Sequence, residues 1–175
     1  MEEIAEYKSE YYGGEIYAMS GGTPEHSMIT SNINRELGNA LKGSNCFVFD
    51  SNLQVRIEAA DQSVYPDVMV ICGPRQAYQD RRHVVTNPTL VVEVLSESTA
   101  GYDRGLKFQS YGKLPSLQEY VLVEQVHPMV EIFRQNEQGL WVLHRYQGLH
   151  AEAIFQSVGA TIPLKEIYYG IDFPA

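Results

Sequence analysis

The run Leu90-Val91-Val92-Glu93-Val94-Leu95 sets one carboxylate in the middle of an otherwise apolar, β-branched stretch. Thr89 to Ser96 is the most strand-like segment of the chain, and such a strand belongs at the centre of a sheet, buried on both faces. An unpaired carboxylate there costs several kcal/mol, so a metal ion, a lysine, an arginine or water in a cleft must compensate it. Asp67 poses a related problem, because it directly precedes the apolar run Val68 to Cys72. If the two runs are neighbouring strands, about 4.8 Å apart, both carboxylates reach one place and can share a divalent cation. Lys107 follows Glu93 by 14 residues, at the start of a helix that returns over the sheet. Two carboxylates beside a lysine suit metal-assisted phosphodiester hydrolysis, in which a hard cation polarises the phosphate and helps ionise a water. Plainer readings stand beside this one: Asp67 as a strand-initiating cap, Glu93 in a salt bridge to Arg104 or Lys107, and Lys107 as the i,i+4 partner of Asp103.

The rest of the pattern supplies a frame for these residues. Tyr11-Tyr12, Gly13-Gly14 and Glu15 to Met19 read as a hairpin, followed by a loop from Ser20 to Thr23. Thr23-Pro24 then starts a helix, with Ile29, Ile33, Leu37, Ala40 and Leu41 at helical spacing until Gly43. Leu53, Val55 and Ile57 alternate with Gln54, Arg56 and Glu58 as in a half-buried strand. Arg75 to Pro88 reads as a polar loop, and Tyr102 to Lys113 as a helix with Leu106 and Ser110 on one stripe and Asp103 and Lys107 on another. Strands are expected at Glu119 to Glu124, Met129 to Gln135 and Leu140 to Tyr146, the last two joined across Asn136 to Gly139. Hairpins together with a helical crossover give an α/β fold with a mixed sheet, in one domain over residues 1–175.

Charge and cysteine content narrow the function. With 13 basic against 22 acidic residues, a net charge of -9, the chain is no general electrostatic binder of nucleic acid, and any such contact is local. The window from Arg75 to Lys113 is more basic, six basic residues to four acids, with Arg81, Arg82 and His83 placed to steer a phosphate backbone. Cys46 and Cys72 are too few for a disulfide framework, which fits a reducing cytoplasm. No apolar stretch is long enough for a membrane helix, and MEEIAEYKSE lacks the pattern of a signal peptide. Neither a zinc-ligand spacing, a glycine-rich phosphate loop nor a hydrolase serine elbow occurs.

YPDVMV, PTLVVEVLSEST and YDRGLKFQSYGKLPSLQEYVLVE together resemble the Uma-type restriction endonucleases, a branch of the PD-(D/E)XK nuclease superfamily. The resemblance runs from the YYGGEIYAMSGGTPEHS opening to the IPLKEIYYGIDF ending. It implies a restriction-endonuclease-like mixed β-sheet core flanked by helices, with an N-terminal hairpin and C-terminal antiparallel strands. It further implies that Asp67, Glu93 and the backbone carbonyl of Val94 hold Mg²⁺ or Mn²⁺ for cleavage of DNA. The superfamily pattern puts a lysine where this chain has Leu95, and the resemblance implies that Lys107 has taken over its work. Glu15 and His26 match positions near such a site, and Gln54 and Asp103 are expected to line it; a solvated hairpin charge, a helix-capping histidine and a polar strand face are their plainer readings. A duplex needs two cuts, so a homodimer through the exposed C-terminal strands is expected. Two other functions remain open: a catalytically silent binding module, suggested by the -9 charge and Leu95, and a hydrolase of another phosphodiester such as RNA.

Overall fold

The computed structural model describes residues 8–18 and 21–173. The beginning of the chain, read above for a signal peptide, and Met19 and Ser20 of the expected hairpin and loop lie outside the described residues. The chain runs β1 (Ser9–Tyr12), β2 (Glu15–Ala18), α1 (Pro24–Ala40), β3 (Cys46–Asp50), β4 (Gln54–Ile57), β5 (Gln62–Val64), β6 (Val68–Cys72), β7 (Ala77–Tyr78), β8 (Arg81–Val85) and β9 (Leu90–Val94). A helical crossover follows: α2 (Ala100–Tyr102), a π-helical turn (Asp103–Lys107) and α3 (Phe108–Tyr111). The remainder is β10 (Glu119–Val123), β11 (Met129–Gln135), β12 (Trp141–Gln147), β13 (Glu152–Phe155), β14 (Ala160–Pro163) and α4 (Leu164–Ile167).

These strands build two six-stranded sheets rather than one, together with the small β13-β14 hairpin. The first sheet has the order β12-β11-β10-β9-β6-β3, with β9 inside it as the buried-strand pattern requires. Strands β9 and β10 are parallel and joined by the helical crossover, whereas β6 is antiparallel to β9. Pleating sends Leu90, Val92 and Val94 to one face, where they pack with Ile29, Ile33 and Leu37 of α1. Val91 and Leu95 go to the other face, against Tyr111, Tyr120 and the apolar side of the second sheet. Glu93 shares that second face by parity.

The second sheet has the order β2-β1-β5-β4-β8-β7. Its first hairpin turns at Gly13 and Gly14, whose φ values of +54° and +97° suit glycine. The expected polar loop from Arg75 to Pro88 is corrected here, since it contains β7 and β8. Val84 and Val85 are buried and pair in parallel with β4, while the charged start Arg81-Arg82-His83 hides the strand from a periodicity reading.

Two further contacts were not visible in the sequence pattern. The ladder of β3 and β6 puts Cys46 opposite Cys72, their Cα atoms 3.9 Å apart, and the two sulfurs form a disulfide. Two cysteines are too few for a disulfide framework, but the strand register joins them in a single bond that the sequence reading did not anticipate. No helix among the described residues is long and apolar enough to cross a membrane.

Glu119 at the start of β10 is fully buried and ties three elements together. It accepts hydrogen bonds from Arg134 Nε on β11 at 2.6 Å, and from the backbone of Gln156 and Ser157 at 3.1 and 3.0 Å. Removing the carboxylate strands these donors, so Glu119→Ala should lower the unfolding free energy by about 3–5 kcal/mol. Urea unfolding followed by circular dichroism measures this, and an unchanged midpoint contradicts the role.

Candidate active site

Three elements converge at the C-terminal end of β9. The β6-β9 ladder pairs Val68 with Val92, so one step further Asp67 lies opposite Glu93 on the same face. Asp67 Oδ2 accepts the backbone N–H of Val94 at 2.8 Å, which fixes the carboxylate beside the strand. From the other side comes α1, whose start is capped by Thr23 accepting the His26 N–H at 3.1 Å. Thr23 also donates to Gln125, which in turn donates to the Leu95 carbonyl, so the helix start is anchored to the end of β9. His26 Nε2 is then 3.1 Å from Asp67 Oδ2, and the imidazole also meets the Val94 carbonyl. The hydrogen bond to Asp67 raises the His26 pKa above its ordinary value, against the opposing effect of burial.

The crossover brings the lysine. Its π-helical turn places Asp103 and Lys107 inward and leaves Leu106 half exposed. Single π-turns of this kind are frequent at functional sites because they re-aim side chains within a helix. Tyr120 holds the turn by donating its hydroxyl to the Asp103 carbonyl at 2.9 Å. Lys107 Nζ lies 2.9 Å from Glu93 Oε1, 3.3 Å from Glu10 Oε1 and 3.6 Å from Asp103 Oδ1. Tyr111 donates to the same Glu93 oxygen at 3.2 Å. Lys107 therefore reaches Glu93 in space although Leu95 occupies the position two residues after it; Leu95 itself is buried in the core. Arg104, the other cation considered for Glu93, pairs instead with Glu124 and Glu131.

The electrostatics follow from this crowding. Burial pushes the Glu93 carboxyl well above the ordinary range; Lys107 pulls against it, and Asp67, Asp103 and Glu10 add to it. Burial alone would depress the Lys107 ammonium, but the carboxylates of Glu93, Glu10 and Asp103 outweigh it and hold the group well above the ordinary lysine range. The cluster opens into a cleft of about 820 Å³, lined by five acids (Glu10, Asp67, Glu93, Glu97 and Asp103) against Lys107 and His26. Such a cleft has more carboxylates than cations to balance them.

The other residues singled out from the sequence lie elsewhere. Glu15 sits at the exposed tip of the first hairpin, accepting the Tyr17 hydroxyl at 2.5 Å. It shares a face with Glu10, because Glu10 pairs with Tyr17 and Tyr12 with Glu15, but the strand carries it too far along to reach Lys107. Glu10 is the hairpin acid that arrives, and the period-two alternation of β1 was the one available signal for it. Gln54 is buried on β4 outside the cleft lining. Arg81, Arg82 and His83 stand on β8, three strands along the second sheet from β1, and do not line the cleft.

Among the described residues no three His, Cys, Asp or Glu side chains converge with metal-ligand spacing. The donors that do converge are the Asp67 and Glu93 carboxylates, with Val94 in the same lining. This set fits Mg²⁺ or Mn²⁺: hard oxygen donors, one or two carboxylates, and room for water and a substrate phosphate in place of a full protein cage.

The chain is similar to known proteins over most of its length. The family model Uma2, described as "Putative restriction endonuclease", matches residues 1–164. The uncharacterized protein slr1290 of Synechocystis is 38% identical over 174 residues, covering 98% of this chain and 89% of that protein. A second uncharacterized Synechocystis protein, sll1609, is 36% identical over 154 residues, covering 88% of this chain and 87% of its own length. Among solved structures, a crystal structure described as "a putative nuclease belonging to DUF820" from Anabaena variabilis superposes with a TM-score of 0.76 at 18% identity, covering 94% of this chain and 91% of that one. At that identity the likeness is one of fold.

The role of Lys107 as the counter-charge of the cluster gives a stability prediction. In Lys107→Met, Glu93 and Asp103 lose the cation that opposes their raised pKa values, so both rise further. A carboxyl whose folded pKa lies above its unfolded value of about 4 stabilises the fold below that value and loses this as pH rises through the folded one. The melting-temperature gap between wild type and Lys107→Met should therefore widen from about pH 5 to about pH 8. A gap independent of pH contradicts the role.

Proposed function

The chain belongs to the Uma2 family, and from that membership we propose that it is a divalent-metal-dependent endonuclease that hydrolyses DNA phosphodiester bonds. The observation that carries this reading is the Lys107 ammonium 2.9 Å from Glu93, with Asp67 on the adjoining strand and an open cleft in front of them. A fold alone does not make an enzyme, but a lysine and two carboxylates at the end of a central strand are the parts phosphodiester hydrolysis needs. Asp67, Glu93 and the Val94 carbonyl would hold Mg²⁺ or Mn²⁺, which supplies Lewis-acid polarisation of the phosphate and a more acidic water. Lys107 would stabilise charge developing on the phosphate oxygens, or hold the attacking water, from a position kept protonated by three carboxylates. His26 would orient Asp67, and the N-terminal end of α1 would add its favourable dipole toward an anion entering the cleft.

Two measurements test this. Wild-type protein should bind Mn²⁺ by isothermal titration and nick supercoiled plasmid, while Glu93→Gln should fold but lose both. Lys107→Met should keep Mn²⁺ binding and lose cleavage by about 10²-fold or more. Cleavage by Lys107→Met at the wild-type rate contradicts its role, and Mn²⁺ binding by neither wild type nor Glu93→Gln favours a silent binding module.

A further inference from the structure

Large apolar side chains stand in water beside the ionic cluster. In β1 and β2 the register pairs Glu10 with Tyr17 and Tyr12 with Glu15, so both tyrosines share the face of Glu10. That face is turned to the cleft, since Glu10 contacts Lys107 and all three residues line it. Tyr12 remains 37% exposed and Tyr17 51% exposed, and Leu106, turned outward by the π-helical stretch, 52%. The hydroxyl of Tyr17 donates to Glu15 at the hairpin tip, and its ring stays open to the cleft.

The charge of the cleft argues in the same direction. Among the described residues that line it there is no arginine, and Lys107 is occupied by carboxylates. A duplex offers two closely spaced rows of phosphates, and proteins hold it by neutralising them with Lys and Arg. This cleft has no such track, and Arg81 and Arg82 are three strands away. What it offers is aromatic surface, which unpaired bases use because every base presents a π-face.

We infer that the nucleic-acid strand enters this cleft unpaired, with one base stacked against Tyr12, Tyr17 and Leu106 while its phosphate faces Asp67 and Glu93. The inference rests on the nuclease reading and specifies its substrate: single-stranded nucleic acid, or a duplex interrupted by unpaired nucleotides. An intact duplex keeps its bases stacked on each other and leaves the aromatic wall unused.

The test presents one sequence in three forms, single strand, perfect duplex and duplex with a central bubble, to the wild-type protein with Mn²⁺. The single strand and the bubble should be cut with kcat/KM about tenfold or more above the perfect duplex. Tyr12→Ala combined with Tyr17→Ala should raise KM on the single strand by about tenfold at unchanged kcat, and Tyr12→Phe with Tyr17→Phe should restore it. In parallel, the wild-type protein with Mn²⁺ is mixed with a single strand carrying 2-aminopurine, whose fluorescence stacking quenches. Quenching should occur with wild type and the Phe pair and be absent with the Ala pair. Equal cutting of all three forms, or Ala and Phe pairs that behave alike, overturns the inference. If nothing is cut, the hydrolytic reading fails on its own, and the quenching titration still decides the stacking seat: ring-dependent quenching sustains it and its absence overturns it.

Discussion

The buried contact between Lys107 and Glu93 is the constraint on which the rest of the site depends. A carboxylate inside a parallel pair of strands is tolerated because an ammonium and a phenol both reach one of its oxygens. The lysine comes from a helical crossover that must pass over the strand it serves, and its π-helical turn is what aims Lys107 and Asp103 inward. Three carboxylates share one ammonium, so the cluster has surplus negative charge and holds its protons unusually firmly. In the proposed function a divalent cation offsets that imbalance.

The architecture places chemistry at a strand end by the simplest means available. Pairing β6 with β9 fixes Asp67 opposite Glu93, and the start of α1 is anchored to the same strand end through Thr23 and Gln125. The first hairpin belongs to the other sheet, yet it delivers Glu10 to Lys107 and so makes the second sheet a wall of the site. The two sheets are thereby coupled through the cleft as well as through the apolar layer of Val55, Ile57, Met69 and Val91.

Much of this was legible in the sequence because the decisive segments have strong local signatures. The N-cap and apolar spacing of α1, the buried runs of β6 and β9, and the isolated carboxylate within β9 each follow from residue pattern, and their adjacency follows from the mixed-sheet topology. The failures share a physical cause. β8 begins with three polar residues and buries only Val84 and Val85, so its apolar pattern is too short to mark it. The two stripes of the crossover helix could be read from spacing, but which one turns inward could not, because the buried partners of Asp103 and Lys107 lie on other elements. Glu10 and Glu15 lie on one hairpin face, and only the register and the approach of the hairpin to the crossover decide which of them meets Lys107. The disulfide between Cys46 and Cys72 likewise depends on register, which a count of two cysteines does not contain.

The central claim is that Asp67 and Glu93 together hold a divalent cation beside Lys107. Calorimetric titration of Mn²⁺ into wild type and Asp67→Asn measures this directly. The account predicts binding by wild type that Asp67→Asn weakens by about tenfold or more. Equal binding by both, or none by wild type, would contradict it.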